Sequence, residues 1–369
     1  MNPILFFIAF FSVFILLNIY ISRRFIKKLD INNKAKFYLN IFLIINLLGI
    51  IGYVLARYYI DVPGWLYFIL SIPIGVVFLL FCTTLFYDIF RVLIQYSPLS
   101  TSRRKFFKKS LDVFSLVVAS GLSIRSLYEA KNIKLEEVHI KIKKLKKPYT
   151  IVQLSDLHIS TLIDKNYVSD IVKRVNAINA DIVVITGDLI DTADAEEALY
   201  ELIHLKSKYG TYFIVGNHEY FHNIDKSIDL VKSLGIKVLE NENIYIGEDS
   251  NGFNLAGVYD IFGYRVKTHI PNLKKALLNK KDSPTILLAH QPKFISEVKD
   301  EVDLMLSGHT HGGQIYPFKF LVKLQQPYIS GLYKHNENLQ IYVNRGTGFW
   351  GPPMRLGVFS EITKIVIEP

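Results

Sequence analysis

Apolar positions along this chain fall into two regimes. From Pro3 to Ile21, Phe37 to Tyr59 and Gly64 to Leu85 they run almost without a break, each run close to the roughly 20 residues a helix needs to cross a bilayer. A shorter run, Val113 to Ile124, follows. The polar stretches between them are basic on one side only. Ser22 to Lys36 carries Arg23, Arg24, Lys27, Lys28, Lys34 and Lys36, and the stretch after the third run carries Arg91, Arg103, Arg104, Lys105, Lys108 and Lys109, whereas the turn at Asp61-Val-Pro-Gly64 is short and poor in charge. Basic loops stay cytoplasmic, so the pattern predicts three spans with the N-terminus outside and both basic loops inside. A buried soluble helical domain would give no reason for that alternation.

The stretch Ser102-Arg-Arg-Lys-Phe-Phe-Lys108 admits two readings. It resembles a twin-arginine export signal ahead of an apolar segment, or it is the basic flank of a fourth span. Either way the rest of the chain is expected outside the cytoplasm. Lys131 to Lys147 is rich in lysine, but Val138-His-Ile-Lys-Ile142 alternates apolar and polar, which predicts a first strand. Lysines so placed would also be drawn to anionic headgroups if close to a membrane.

Beyond residue 148 the period changes. Five short runs rich in β-formers, separated by helix-length amphipathic segments, predict buried strands of an α/β domain. Tyr149–Ser155 runs into Asp156-Leu-His158, Asp181–Thr186 into Gly187-Asp188-Leu-Ile-Asp191, and Thr211–Val215 into Gly216-Asn217-His218-Glu219. Thr285–Ala289 runs into His290, and Val302–Ser307 into Gly308-His309-Thr-His311. Ligands of open α/β sheets gather beyond the carboxyl ends of strands, so these five endings are expected to meet at one crevice. Imidazole and carboxylate without thiolate suit manganese, zinc or iron. Singly, Asp156, Asp188 or Asn217 would pass as helix caps; together with the histidines they point to a metal site.

The ordered set Asp156-x-His158, Gly187-Asp188-x-x-Asp191, Gly216-Asn217-His218-Glu219, His290 and Gly308-His309-x-His311 resembles the calcineurin-like metallophosphoesterases, with every block present and in order over about residues 149 to 368. The runs His311-Gly-Gly-Gln-Ile-Tyr-Pro317 and Asn344-Arg-Gly-Thr-Gly-Phe-Trp-Gly-Pro-Pro-Met-Arg355 resemble a bacterial subgroup of exported or membrane-attached phosphohydrolases. The resemblance implies an α/β fold, a four-layer β-sandwich flanked by helices, here preceded by an all-α transmembrane module. It implies two divalent cations, with Asp188 bridging, Asp156, His158 and His311 completing one site, and Asn217, His290 and His309 the other. It also implies attack on phosphorus by a metal-activated hydroxide, with His218 as the acid at the leaving oxygen. Asp191 is expected to orient His218, and Glu219 to support the site rather than ligate.

Three regions are thus expected: 1–128 as the membrane module, 129–148 as a basic juxtamembrane segment with a first strand, and 149–369 as the phosphoesterase domain. The expected protein is a multi-pass protein of the cell membrane that cleaves phosphodiesters or pyrophosphates, such as phospholipid headgroups or lipid-linked envelope precursors. A membrane sensor or transporter, or a non-catalytic binding protein with a metallophosphoesterase-like outer domain, is the alternative; spans whose only polar mid-positions are Asn18 and Asn46 argue against a transport path. Composition adds three points. The net charge of +10 is concentrated in the basic loops and the Lys131–Lys147 segment, and no nucleic-acid motif accompanies it. The single cysteine, Cys82, lies in a span, so no intramolecular disulfide can form. His139, His204, His222, His269 and His335 fall outside the blocks and are expected on the surface or in loops, with His222 near enough to touch substrate. Arg345 and Arg355 could wall the cleft as phosphate holders or equally serve ordinary loop packing, and the loops Tyr259–Thr268 and Ile315–Tyr333 are expected to set specificity.

Overall fold

The strands predicted from the second regime all form, and their alternation explains the layering. In the computed structural model, which describes residues 3–192, 196–248, 251–299 and 301–369, the strand Ile182–Thr186 is buried along its whole length. Ile182 and Val184 belong to one apolar cluster, and Val183 and Ile185 to another. A strand apolar on both faces must be covered on both, and two stacked sheets achieve this.

The first sheet has the order β1-β12-β2-β3-β4-β5, comprising β1 (Ile133–Lys141), β2 (Tyr149–Leu154), β3 (Ile182–Thr186), β4 (Thr211–Ile214), β5 (Lys237–Val238) and β12 (Ser360–Glu368). Strands β2 to β5 run parallel, β12 is antiparallel to β2, and β1 pairs with β12 in parallel from Ile133↔Ser360 to Lys141↔Glu368. The second sheet has the order β10-β11-β9-β8-β7-β6, from β6 (Glu242–Ile246), β7 (Phe253–Gly257), β8 (Thr285–Leu288), β9 (Leu304–Ser307), β10 (Gly331–Lys334) and β11 (Gln340–Val343).

Ile151, Val184 and Ile214 of the first sheet face Leu255, Ile286, Leu304 and Leu306 of the second in one cluster. Val152, Val183, Ile185 and Phe213 turn outward beneath the helices Lys165–Asn176 and Ile224–Ser233. Leu287 and Met305 turn outward with Phe294 and Ile295 of a 3₁₀ turn. The order is therefore helix, sheet, sheet, helix. Gln153 is buried in the middle, its amide donating to Thr186 Oγ1 and to the Ser307 carbonyl, both at 3.0 Å. That amide ties the two sheets together at the ends where the candidate ligands leave them.

The chain forms two compact units, Met1–Tyr128 with Gly351–Leu356, and Glu129–Trp350 with Gly357–Pro369. Within the first unit lie α1 (Pro3–Arg24), α2 (Asn33–Tyr58), α3 (Gly64–Tyr96) and most of α4 (Thr101–Lys131). Four helices among the described residues are long and apolar enough to cross a membrane. Helix α4 is continuous through both the arginine pair and the fourth apolar run. Helix α3 extends well past the expected end at Leu85, because Asp88 and Arg91 find partners inside the bundle. Asp88 accepts from Tyr20, Arg24 and Lys28 at 2.9, 2.6 and 3.1 Å, and Asp112 accepts from Tyr87 at 2.8 Å and pairs with Arg91 at 3.3 Å. Leu16, Ile44, Ile45, Leu48 and Phe37 remain exposed on these helices, a surface that water would penalise and lipid would not.

Candidate metal centre

The five strand endings do converge, from two sheets rather than one. Strands β2, β3 and β4 deliver Asp156, His158, Asp188, Asn217 and His218 from the first sheet, and β8 and β9 deliver His290, His309 and His311 from the second. Three groups of side chains each bring ligand atoms within 4.8 Å of one another: Asp156, His158 and His311; His158, Asp188 and His218; and Asp188, His290 and His309. Asp188 belongs to two of the groups. The sharp turns that aim these side chains leave Asp156, His158, Asp188, His309 and His311 in the left-handed region, with φ between 49° and 69°. Such conformations are costly for residues with a Cβ and collect at functional sites. The flanking glycines serve close approach: a Cβ on Gly308 would strike Ser155 Oγ and Asp156 Oδ2, and one on Gly216 would strike Asp188 Oδ1.

Nitrogen faces nitrogen and carboxylate at spacings that suit a shared cation. His158 Nε2 lies 3.0 Å from His311 Nε2, which lies 3.5 Å from Asp156 Oδ1, and His290 Nε2 lies 3.2 Å from Asp188 Oδ2. Two atoms each about 2.1 Å from one tetrahedral ion stand roughly 3.4 Å apart. His290 Nδ1 lies 2.7 Å from the Thr186 carbonyl, so that nitrogen carries the proton and Nε2 presents its lone pair when the ring is neutral. His290 Nε2, His309 Nδ1, His158 Nδ1 and Asn217 Oδ1 are buried without a hydrogen-bond partner. Buried polar atoms are seldom left so. A cation satisfies the lone pairs aimed into the site, and the donor set fits one.

Electrostatics prepare the same chemistry. Burial pushes the His309 imidazole down to about 3, with the charge of His290 acting in the same direction, so the ring is a neutral donor throughout the physiological range. Burial opposes ionisation of Asp188, yet His290 and His218 hold its carboxyl well below the usual carboxylate range. The His218 backbone N–H donates to Asp188 Oδ1 at 2.8 Å, and His218 Nδ1 meets Asp191 Oδ1 at 2.7 Å. That pairing fixes the proton on Nδ1 and turns Nε2 away from Asp191. The rings of Phe221 and Trp350 stand edge-on to the His218 ring at 5.3 and 6.1 Å.

Glu219 has a role that its position in the motif did not disclose. Its fully buried carboxylate accepts from the backbone N–H groups of Asp188, Leu189, Ile190 and Gly216, at 2.6 to 3.1 Å. It thereby folds the β3 turn against the short helix Asn217–Phe221. Asp260 was not foreseen at all. It is buried, Oδ1 accepts from the Phe262 N–H and from Gln291 beside His290, and Oδ2 has no partner. No motif spacing marks it, because Tyr259-Asp260 follows a strand that carries no ligand.

The remaining expectations separate cleanly. Arg345 does not wall the cleft: it pairs with buried Glu361 and with Glu136 and stacks on Phe359. Arg355 belongs to the helical unit, its backbone N–H on the Ser126 carbonyl. The Asn344–Gly348 segment instead buttresses the first ligand turn, with the Thr347 and Gly348 N–H groups donating to the Ser155 and Asp156 carbonyls at 2.7 and 3.1 Å. His139, His269 and His335 are occupied by Glu368, Asp225 and Tyr328, and neither they nor His204 and His222 enter the ligand groups.

A family model described as calcineurin-like phosphoesterase matches residues 149–313. A Helicobacter pylori protein named an uncharacterized metallophosphoesterase is 39% identical over 98% of both chains. A Bos taurus transmembrane protein with metallophosphoesterase domain is 35% identical over 73% of this chain and 64% of its own. The crystal structure of a dimetal phosphatase from Danio rerio aligns with a TM-score of 0.35 at 12% identity, over 54% of this chain and 87% of that one. The chain belongs to the calcineurin-like metallophosphoesterase family. It is a metal-dependent phosphoester hydrolase, and its four apolar helices make it a membrane protein.

Proposed function

We propose that this protein is a membrane-tethered phosphohydrolase that holds two divalent cations and cleaves phosphodiesters or pyrophosphates outside the cytoplasm, at the lipid surface. The observation that supports this reading is the convergence of Asp156, His158, Asp188, His290, His309 and His311 from two sheets, with side-chain atoms of His158, His290, His309 and Asn217 buried without a hydrogen-bond partner. Asp156, His158 and His311 would hold one ion and Asn217, His290 and His309 the other, with Asp188, a member of two of the donor groups, available to both. The oxygen and nitrogen donors suit manganese, zinc or iron. Two such ions, when bound, neutralise phosphoryl charge and lower the pKa of water enough to provide a nucleophile at neutral pH.

The protein's own residues complete the reaction. His218, held on Asp191, places Nε2 where it can protonate the departing oxygen. Phe221 and Trp350 shield that imidazole on two sides. Anchoring the site to a bilayer favours substrates such as phospholipid headgroups or lipid-linked envelope precursors. The test is a panel of phosphomonoesters, water-soluble phosphodiesters and lipid pyrophosphates, assayed with the full chain after manganese, zinc or iron supplementation, with Asp188→Asn as the control. Metal-dependent hydrolysis lost in Asp188→Asn supports the reading. No hydrolysis of any ester by protein shown to contain metal overturns it.

A further inference from the structure

The loop that follows the second ligand histidine of β9 carries an unusual surface. Between residues 316 and 324, Tyr316, Phe318, Phe320, Leu321 and Leu324 are exposed, Leu324 at 81% and Phe320 at 61%. Lys319 and Lys323 alternate with them, and among the described residues neither forms an ion pair with a carboxylate. Scattered exposed apolar residues are ordinary, but five large ones within nine residues form a patch of the kind that marks a binding surface.

This loop is held firmly at its base. The Ile315 N–H donates to the Gly313 carbonyl and the Phe318 N–H to the Ile315 carbonyl. Lys319 lies so close to Gly313 that a Cβ there would strike its backbone. At the other end, buried Gln326 bonds Gln291, the neighbour of His290, and the Lys293 N–H, both at 3.0 Å. Thr310 Oγ1 donates to the Ile329 carbonyl. The apolar tip therefore projects from a fixed frame built on the turns that carry His290 and His311. Gln314 joins this frame to the rim of the site through paired bonds with the Trp350 backbone, 2.8 and 3.0 Å, and Trp350 itself is half exposed beside His218.

We propose that residues 316–324 dock the hydrolase unit on a lipid bilayer, with Phe318, Phe320, Leu321 and Leu324 entering the interfacial layer and Lys319 and Lys323 meeting anionic headgroups. Three observations select lipid over a second protein. Aromatic and leucine side chains interleaved with lysines that lack a carboxylate partner are the composition of interfacial anchors. The same chain carries four helices able to cross a membrane, so a bilayer is always within reach. No acidic residue lies between Tyr316 and Leu324 to repel an anionic headgroup layer. Docking there would bring the entrance beside Trp350 and His218 to the headgroup layer. The inference rests on the phosphohydrolase reading for its consequence, though not for the contact itself.

The test separates the two. In the full chain, with Cys82→Ser to remove the native thiol, a fluorophore is attached at Leu324→Cys or, as the control, at exposed Lys173→Cys on the helix Lys165–Asn176. The protein is reconstituted in phosphatidylethanolamine and phosphatidylglycerol vesicles. Docking predicts that nitroxide-labelled lipid quenches the probe at 324 and aqueous iodide quenches the probe at 173. Equal iodide quenching at both positions overturns it, as does a probe at 324 shielded from both quenchers, which would mean a protein partner. In a second arm, Phe320→Ser, Leu321→Ser and Leu324→Ser together lower the ratio of vesicle-borne to water-soluble phosphodiester hydrolysis roughly tenfold. An unchanged ratio overturns the docking surface. Loss of all hydrolysis by the wild-type chain would instead count against the phosphohydrolase reading and leave the quenching result standing.

Discussion

At the scale of single residues, His218 and Glu219 are neighbours with opposite duties. His218 lies near His158 and Asp188, but its Nδ1 is engaged by Asp191, so His218→Ala is expected to keep its metal and lose about 10²–10⁴-fold in turnover. Metal analysis beside phosphodiesterase rates decides this, and either wild-type activity or a metal-free protein would contradict the assignment. Glu219→Ala strands four buried N–H groups and is expected to cost on the order of 3–5 kcal/mol, read as a lower melting temperature together with reduced metal content. Asp260 gives a pH prediction. Burial raises its carboxyl to about 6, above an unfolded value near 3.9. A raised acid favours the fold below the unfolded pKa, and this contribution is lost as pH rises through the folded one. In chelated protein, Asp260→Asn should therefore gain stability over wild type between about pH 4 and pH 6, by roughly 2–3 kcal/mol at the upper end. Equal melting shifts at both pH values would refute it. The candidate donors that the structure brings together were legible because metal chemistry restricts such donors to few residue types, here at strand ends. The left-handed backbone at Asp156 or His309, the four donors on Glu219 and the buried Asp260 were not, since each depends on chain segments that meet only after folding.

At the scale of elements, periodicity located the five strands that end in candidate ligands to within a residue or two because their side chains are sorted so strictly. The first strand begins five residues earlier than its alternation suggested, and the other six strands went unmarked. Tyr149–Leu154, Thr285–Leu288 and Thr211–Ile214 each stop where the apolar alternation gives way to Gly, Asp, Asn or His. The third long helix was underestimated for the opposite reason. Past Leu85 the sequence stays largely apolar but admits the charges Asp88 and Arg91, and a rule that seeks an uncharged run ends there, whereas both residues continue the helix by pairing within the bundle. Close helix packing within that bundle is also invisible to hydropathy. A Cβ at Gly49 of α2 would lie 2.8 Å from Pro73 of α3, and one at Gly52 would lie 2.8 Å from Leu70. Small residues that let helix backbones approach are a recurrent device where lipid removes the hydrophobic drive. Replacing Gly52 by Leu is accordingly expected to wedge α2 from α3 at a cost of about 1–3 kcal/mol. Thermal unfolding of the full chain in detergent measures this, and an unchanged midpoint would show that the contact is dispensable.

At the scale of the whole molecule, the family's blocks foretold the layered sheets, whereas no hydropathy pattern marked Gly351–Leu356 as part of the helical unit. The division of ligands between two sheets was not foretold, because strand order is a property of closure rather than of any one run. What the sequence still governs alone is orientation. Arg24 and Lys28 are engaged by Asp88, and Arg91 by Asp112, yet Arg23, Lys27, Lys34 and Lys36 remain in the first basic stretch, and Arg103, Arg104, Lys105, Lys108 and Lys109 in the second. The Tyr59–Pro63 turn has Asp61 as its only charge. Retention of lysine and arginine on the cytoplasmic side therefore favours an outer N-terminus, an outer turn at Asp61 and an outer hydrolase unit, for an even number of crossings. With Cys82→Ser as the background, a cysteine at Ile60 should react with an impermeant maleimide in intact spheroplasts, and one at Asn33 should react only after lysis. Protease added to the same spheroplasts should degrade the hydrolase unit while leaving a membrane-protected fragment. The reverse labelling pattern, or a hydrolase unit protected until lysis, would place the metal centre in the cytoplasm and remove the outer lipid surface from the substrates it can meet.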